Sequence, residues 1–379
     1  MKMIWRALYT AVYLSLICAP ASSAQTNADG SYTIPIYQNP SSLTPSHYTI
    51  YASFGNGPLL PYLFDTGAPY LMSFYNNTTN LSTNGAFTFS TGLTYFYNEI
   101  DQSVSLGTSA GQTNVTTASP VNLGQVNYTD ADIFDPASTT NQVANPTSPQ
   151  ADGTYGDFGA GFYGSSTFAT ILAQLPLAAS LKQGYTLNVT TNSLQGSLTL
   201  GLTESSLDAL SNAPGAIVMS LLPTGTNIPT ATNDIPGYAK TQVADVNISL
   251  SKQGVTTNSQ IPFVLDTGGG PNAVLYSTNL AGFGDATNLS VSSTNGQQLY
   301  TVTDNQTPWE GNVSVITNLA GGERLNSGGY FFQSNIVTFD LSDGVVIIDP
   351  VPEPASWAML VLSLGGALLC LRHRKPSRY

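Results

Sequence analysis

Cysteine is almost missing from this chain: two occur in 379 residues, Cys18 and Cys370, both in the terminal segments. Residues 25–350 therefore hold no disulfide and no thiol nucleophile. Histidine is as scarce, with His47 in that stretch and His373 in the tail. This argues against Ser-His catalysis and His-rich metal sites, so no metal and no cofactor is expected. His47 opens an expected strand and reads as a surface or packing residue. Basic side chains are the third scarcity. Of the ten, only Lys182, Lys240, Lys252 and Arg324 lie between residues 25 and 350, against 21 of the 22 acids, a balance of −17. So negative a surface disfavours nucleic acid as a partner. With its carboxylates protonated, the same surface would carry little self-repulsion, so acid should unfold this protein less readily than most. What remains is carboxylate chemistry.

The two ends read as addresses. Lys2 and Arg6 precede an apolar run, Ala7 to Ala19, and Ser22 and Ala24 are small residues suited to cleavage before Gln25. Residues 1–24 are expected to be a signal peptide removed by signal peptidase. Bulky Ile17 before Cys18 argues against lipidation. At the other end Val351-Pro352-Glu353-Pro354 leads into apolar Ala355 to Leu371 and then Arg372, Arg374, Lys375 and Arg378. Such a helix, rising about 1.5 Å per residue, nearly crosses a bilayer core, with the cations on the cytoplasmic side. Residues 351–379 resemble the PEP-CTERM sorting signal. That resemblance implies an exosortase-type processing enzyme, transient anchoring through the C-terminal helix, and delivery to the envelope or an extracellular polysaccharide matrix.

Between the ends the texture is β. Clusters of Gly, Asn, Ser and Thr punctuate short apolar runs at His47–Phe54, Leu59–Phe64, Ser197–Leu200, Val243–Leu250, Ile261–Leu265 and Gly344–Ile348. One stretch, Ser166–Leu175, carries apolar residues at helical spacing. So long a body predicts two lobes, residues 25–202 and 203–350. The repeat that matters is short: Tyr62-Leu63-Phe64 and Phe263-Val264-Leu265 each run into Asp-Thr-Gly, at Asp65-Thr66-Gly67 and Asp266-Thr267-Gly268. This composition gives about 0.2 copies of that tripeptide by chance.

With these motifs, and with the runs Gly156–Phe162, Gln195–Gly201, Ser327–Phe331 and Ile336–Asp340, the chain resembles the pepsin-like aspartic proteases. The resemblance implies a mainly β, bilobal, monomeric endopeptidase acting on peptides or proteins, with Asp65 and Asp266 as catalytic residues in the interlobe cleft. The physics agrees: two carboxyls within hydrogen-bond reach cannot both ionise, so they share a proton, and the pair can activate water and polarise a carbonyl. Thr66 and Thr267 are expected to cross-brace the loops through their hydroxyls, and Gly67 and Gly268 to let the backbones approach.

Three positions depart from the family. Ala68 and Gly269 stand where a hydroxyl usually follows the motif. Spacing puts the substrate-covering flap near Ser105–Gly111, around Leu106, Gly107 and Thr108, which lacks the family's tyrosine; Tyr95 or Tyr97 would supply it in another register. These departures leave open an alternative, a catalytically weak or inactive pepsin-fold protein that binds at the surface or in the matrix. Asn-x-Ser/Thr sites, at Asn77, Asn114, Asn188 and Asn247, read as a by-product of composition rather than as sugar acceptors.

Overall fold

A computed structural model describes residues 25–38, 47–75, 82–89, 92–131, 135, 137–143, 147–162, 170–189, 195–231, 234–270, 273–283, 286–303, 313–317 and 322–351. The expected signal peptide, and the sorting segment beyond Val351, lie outside the described residues. Strands dominate, and they carry the six apolar runs read from the sequence.

The chain uses one pattern of strand pairing twice. In the first half Leu60–Asp65, which ends in the first motif, pairs antiparallel with Tyr48–Phe54 and parallel with Gly156–Gly159. Gly156–Gly159 also pairs antiparallel with Leu71–Ser73, which lies parallel to Val121–Asp130. In the second half Val255–Val264 pairs antiparallel with Ile235–Lys252 and parallel with Arg324–Asn326. Arg324–Asn326 in turn pairs antiparallel with Ala273–Tyr276, which lies parallel to Val313–Ile316. The register is equivalent as well. Asp157 lies opposite Leu63 and Asn326 opposite Val264, each two residues before a motif aspartate.

Local chemistry explains the turns. Ile235–Lys252 and Val255–Val264 meet at Gln253-Gly254, both with positive φ (49° and 81°), the geometry a two-residue hairpin needs to match strand twist. The expected helix at Ser166–Leu175 is corrected where it is described. Ile171–Gln174 forms a single 3₁₀ turn, and Leu175, which precedes Pro176, is extended because a proline crowds the helical conformation of the residue before it. An α-helix that apolar spacing did not reveal, Glu204–Ser211, starts at Thr203, whose hydroxyl caps the Ser206 N–H while the Ser206 hydroxyl caps that of Thr203.

A ladder built from both halves joins the two patterns: Tyr32–Gln38, Gln195–Leu202, Lys182–Asn188, Asn335–Asp340, Val345–Pro350 and Ile217–Ile228, each antiparallel to the next. Its apolar face carries an aromatic cluster beneath the first motif. Tyr185 packs on Phe64 (6.2 Å between ring centroids), Phe162 (5.5 Å) and Phe339 (4.9 Å). All four side chains are fully buried.

Phe339 thus comes from the far end of the chain to hold up the first motif. Phe339→Ala should lower unfolding free energy by about 3–5 kcal/mol, read as a lower urea midpoint at unchanged slope. A change below about 1 kcal/mol would show that the cluster collapses around the gap.

Candidate active site

The two motif loops meet head to head. The Thr66 N–H donates to Thr267 Oγ1 and the Thr267 N–H to Thr66 Oγ1, both at 3.0 Å. Each hydroxyl then donates onward across the junction, Thr66 to the carbonyl of Leu265 (2.7 Å) and Thr267 to that of Phe64 (2.5 Å). Both threonines are fully buried, and each hydroxyl is donor and acceptor at once. The glycines matter through proximity. A Cβ on Gly67 would stand 2.5 Å from Asp266 Cγ, and one on Gly268 would stand 2.3 Å from Asp65 Cγ. Each carboxyl therefore rests on the glycine of the opposite loop.

The carboxyls face each other on this platform, close enough for the Asp266 carboxyl to act on that of Asp65. Asp65 Oδ1 accepts from the N–H groups of Gly67 (2.7 Å) and Ala68 (3.1 Å). Asp266 Oδ1 accepts from Gly268 (2.8 Å) and Gly269 (3.1 Å). Burial, then the charge of Asp266, then that of Asp157, holds the Asp65 carboxyl well above the usual range. The pair sits in the wall of a cavity of about 510 Å³.

Neither Ala68 nor Gly269 supplies a hydroxyl, and the structure answers each differently. At the second motif Asn326 fills the gap: its Nδ2 donates to Asp266 Oδ2, and its Oδ1 accepts from the Gly328 N–H (3.0 Å), which fixes the amide's orientation. A Cβ on Gly269 would stand 2.8 Å from that Oδ1, so the bare glycine is what admits the asparagine. At the first motif the residue in equivalent register is Asp157, a buried acid that accepts a hydrogen bond from the Tyr95 hydroxyl. Burial above all pushes its carboxyl up to about 7. Sequence reading missed both residues, because their roles depend on which strand lies beside each motif.

The flap expectation needs correction. Leu106 and Gly107 pair with Ala52 and Tyr51, Leu106 is fully buried, and the turn after Thr108 leans on Tyr37, whose hydroxyl lies 3.3 Å from the Ser109 nitrogen. An apolar residue pulled into the core cannot also cover a cleft, and none of these three residues lines the cavity. The hairpin that does reach it is Gly85–Thr88 with Thr94–Gln102, through Phe89 and Leu93. Phe89 packs edge-on against Phe87 and Tyr95, both at 4.9 Å. Its signal in the sequence was the turn pair Thr91-Gly92 between two alternating aromatic runs. Of the two alternative tyrosines, Tyr95 lines the cavity. His47, expected as a surface or packing residue, is half-buried in the cavity wall, and burial pulls its imidazole below the usual value.

A family model described as the PEP-CTERM protein-sorting motif matches residues 350–375. No curated protein matches the chain. Among solved structures, an aspartic proteinase from Irpex lacteus is similar with a TM-score of 0.51, covering 85% of this chain and 97% of its own, at 13% identity. A likeness at that identity is one of fold, and the chain has the mainly β fold of the pepsin-like aspartic proteases.

Asp157 ties the site to stability. Its folded-state pKa lies above that of an exposed aspartate, so the folded protein binds the extra proton, and stability falls as pH rises from about 4 to about 7. That shift corresponds to a loss on the order of 4 kcal/mol. Asp157→Asn, whose side-chain oxygen still accepts from Tyr95, should flatten the fall and raise the thermal midpoint at pH 7 but not at pH 4. Equal curves for both proteins across that range would contradict the assignment.

Proposed function

We propose that this chain is an exported aspartic-type endopeptidase whose carboxyl pair, Asp65 and Asp266, activates water against a peptide bond. The observation that carries the reading is two facing carboxyls, Asp65 buried and Asp266 half-buried, each resting on the other loop's glycine in the wall of one cavity of about 510 Å³. Such a pair holds one proton. One carboxyl takes a proton from water as the water oxygen attacks the carbonyl carbon, and the other donates to the carbonyl oxygen. Thr66, Gly67, Thr267 and Gly268 keep the two within reach. Residues 25–202 and 203–350 are the two lobes of a monomer, and the substrate is a peptide or protein lying between them against Phe89 and Leu93.

The rival reading is a binding protein that retains the fold. It draws on one feature: the hairpin reaching the cavity presents Phe89 and Leu93 there, side chains without a hydroxyl. Mutation separates the two readings. Asp65→Asn and Asp266→Asn should each lower hydrolysis of an unstructured protein by at least about 10³-fold, and the double variant little further, because groups acting as a unit are not additive. Wild type should work best below neutral pH. Full activity in either variant would remove these residues from the reaction. No cleavage by folded wild type at any pH would favour the binding protein.

The sorting motif extends the proposal to location. In a host with an exosortase-type enzyme the mature protein should begin near Gln25 and lack the segment after Pro354, on its way to the envelope or the polysaccharide matrix. Mass spectrometry of the exported protein checks this, and an intact Arg372–Tyr379 tail would count against it.

A further inference from the structure

The carboxyl pair is not alone in its cavity: Asp152, half-buried, lines the same wall from a closed turn. The Gln150 N–H donates to the Thr154 carbonyl (2.7 Å) and the Gly153 N–H to that of Gln150 (2.9 Å). Gly153, with a φ of 86°, supplies the left-handed residue that ends so short a hairpin loop. Asp152 Oδ1 accepts from the N–H and the hydroxyl of Thr154, at 3.0 and 2.9 Å, which fixes the direction of the carboxyl. The Tyr155 N–H, donating to the Pro61 carbonyl (2.8 Å), ties the turn to the strand that ends in the first motif. Asp152 is therefore held in place before any ligand arrives.

Three aromatic rings share that wall. Phe74 and Phe89 each stand edge-on to Tyr95, at 5.0 and 4.9 Å between centroids. Tyr95 feels the charges of both Asp152 and Asp65, so the turn, the rings and the first motif adjoin one another. Aromatic surface beside a carboxylate suits a long cation: the methylene stem packs on the rings, their faces attract the charge, and the carboxylate accepts the hydrogen bonds. Asp157, kept neutral by burial up to about pH 7, adds an oxygen to this wall rather than a charge. His47 is the one basic side chain among the described residues of the wall, and burial opposes its taking up a proton. The wall contributed by the second half is different. Val274, Tyr276 and Ile316 line it, and the Arg324 guanidinium stands 3.8 Å over the Tyr276 ring, a positive charge that repels cations.

Resting on the peptidase reading, we infer that the cavity takes a lysine or arginine side chain of the substrate beside the bond to be cut, its stem along Phe74, Tyr95 and Phe89 and its charged head at Asp152. Asp152 sets which peptide is accepted and takes no part in breaking the bond. An uncharged side chain of the same length fills the same space but covers the carboxylate without pairing it, which weakens binding. An acidic one is repelled. The balance of −17 over residues 25–350 draws basic peptides towards the protein in the same sense.

Peptides identical except for lysine, methionine or glutamate beside one cleavable bond test this through kcat/KM. Wild type should favour the lysine peptide over the methionine peptide by at least about tenfold and cut the glutamate peptide least. Asp152→Asn, whose amide oxygen still accepts from Thr154, should bring the lysine-to-methionine ratio close to one, and Asp152→Lys should place glutamate above lysine. A ratio taken within one protein is unmoved by a fraction of misfolded molecules, so a poorly folding variant still reports. Added salt should shrink the ratio of wild type and leave that of Asp152→Asn in place. Equal cleavage of the lysine and methionine peptides by wild type, or a preference that survives in Asp152→Asn, would overturn the inference and leave the peptidase reading standing. Should wild type cleave none of the peptides, their binding to it decides: a preference for lysine that Asp152→Asn abolishes keeps the subsite and refutes the peptidase, and no preference overturns the subsite.

Discussion

Everything at the site depends on two threonine hydroxyls. Each accepts an N–H from the opposite loop and donates to a carbonyl just before the opposite motif, so four hydrogen bonds close a ring with no side chain left over. Breaking the ring at one point leaves buried polar groups unsatisfied on both sides, at a cost of about 1–3 kcal/mol for each. The ring also sets the distance between the aspartates, because each carboxyl can settle only on the bare backbone of the loop that the ring draws towards it. With the second carboxyl so near and its own side chain buried, Asp65 is held well above the usual carboxylate range.

The departures at Ala68 and Gly269 take on a different meaning within that frame. In the sequence they look like parallel losses of a hydroxyl. In the fold they differ, since Gly269 vacates space that the Asn326 amide fills, whereas beside the first motif the equivalent register holds an acid tied to a tyrosine. A duplicated scaffold thereby carries an unduplicated site. Symmetry brings the carboxyls together, and the residues beside them differ.

The paired motifs, their leading strands and the threonine brace were legible in the sequence because each is local: an apolar run, a tripeptide, a hydroxyl. Asn326 and Asp157 were not, since neither carries a motif and each gains its meaning from a strand partner 60 or more residues away. The cover over the cavity was misread for a related reason. Leu106-Gly107-Thr108 has good turn chemistry, but so does Thr91-Gly92, and only burial of Leu106 against the neighbouring strand decides which hairpin is free to reach the cavity. The helix expected before Leu175 was drawn from apolar spacing, which Pro176 overrides in the part described.

The brace joins residues 201 positions apart, and Asn326 completes the second carboxyl's shell from still further along the chain. Closing so long a loop comes late, after local hairpins have formed, since chain entropy opposes it until both ends are already structured. A nascent chain that has not yet reached Thr267 thus owns a single aspartate on an unsupported loop. Whatever the pair does, it cannot do while the chain is still being made: the order in which contacts form delays the site until both motifs exist and have met.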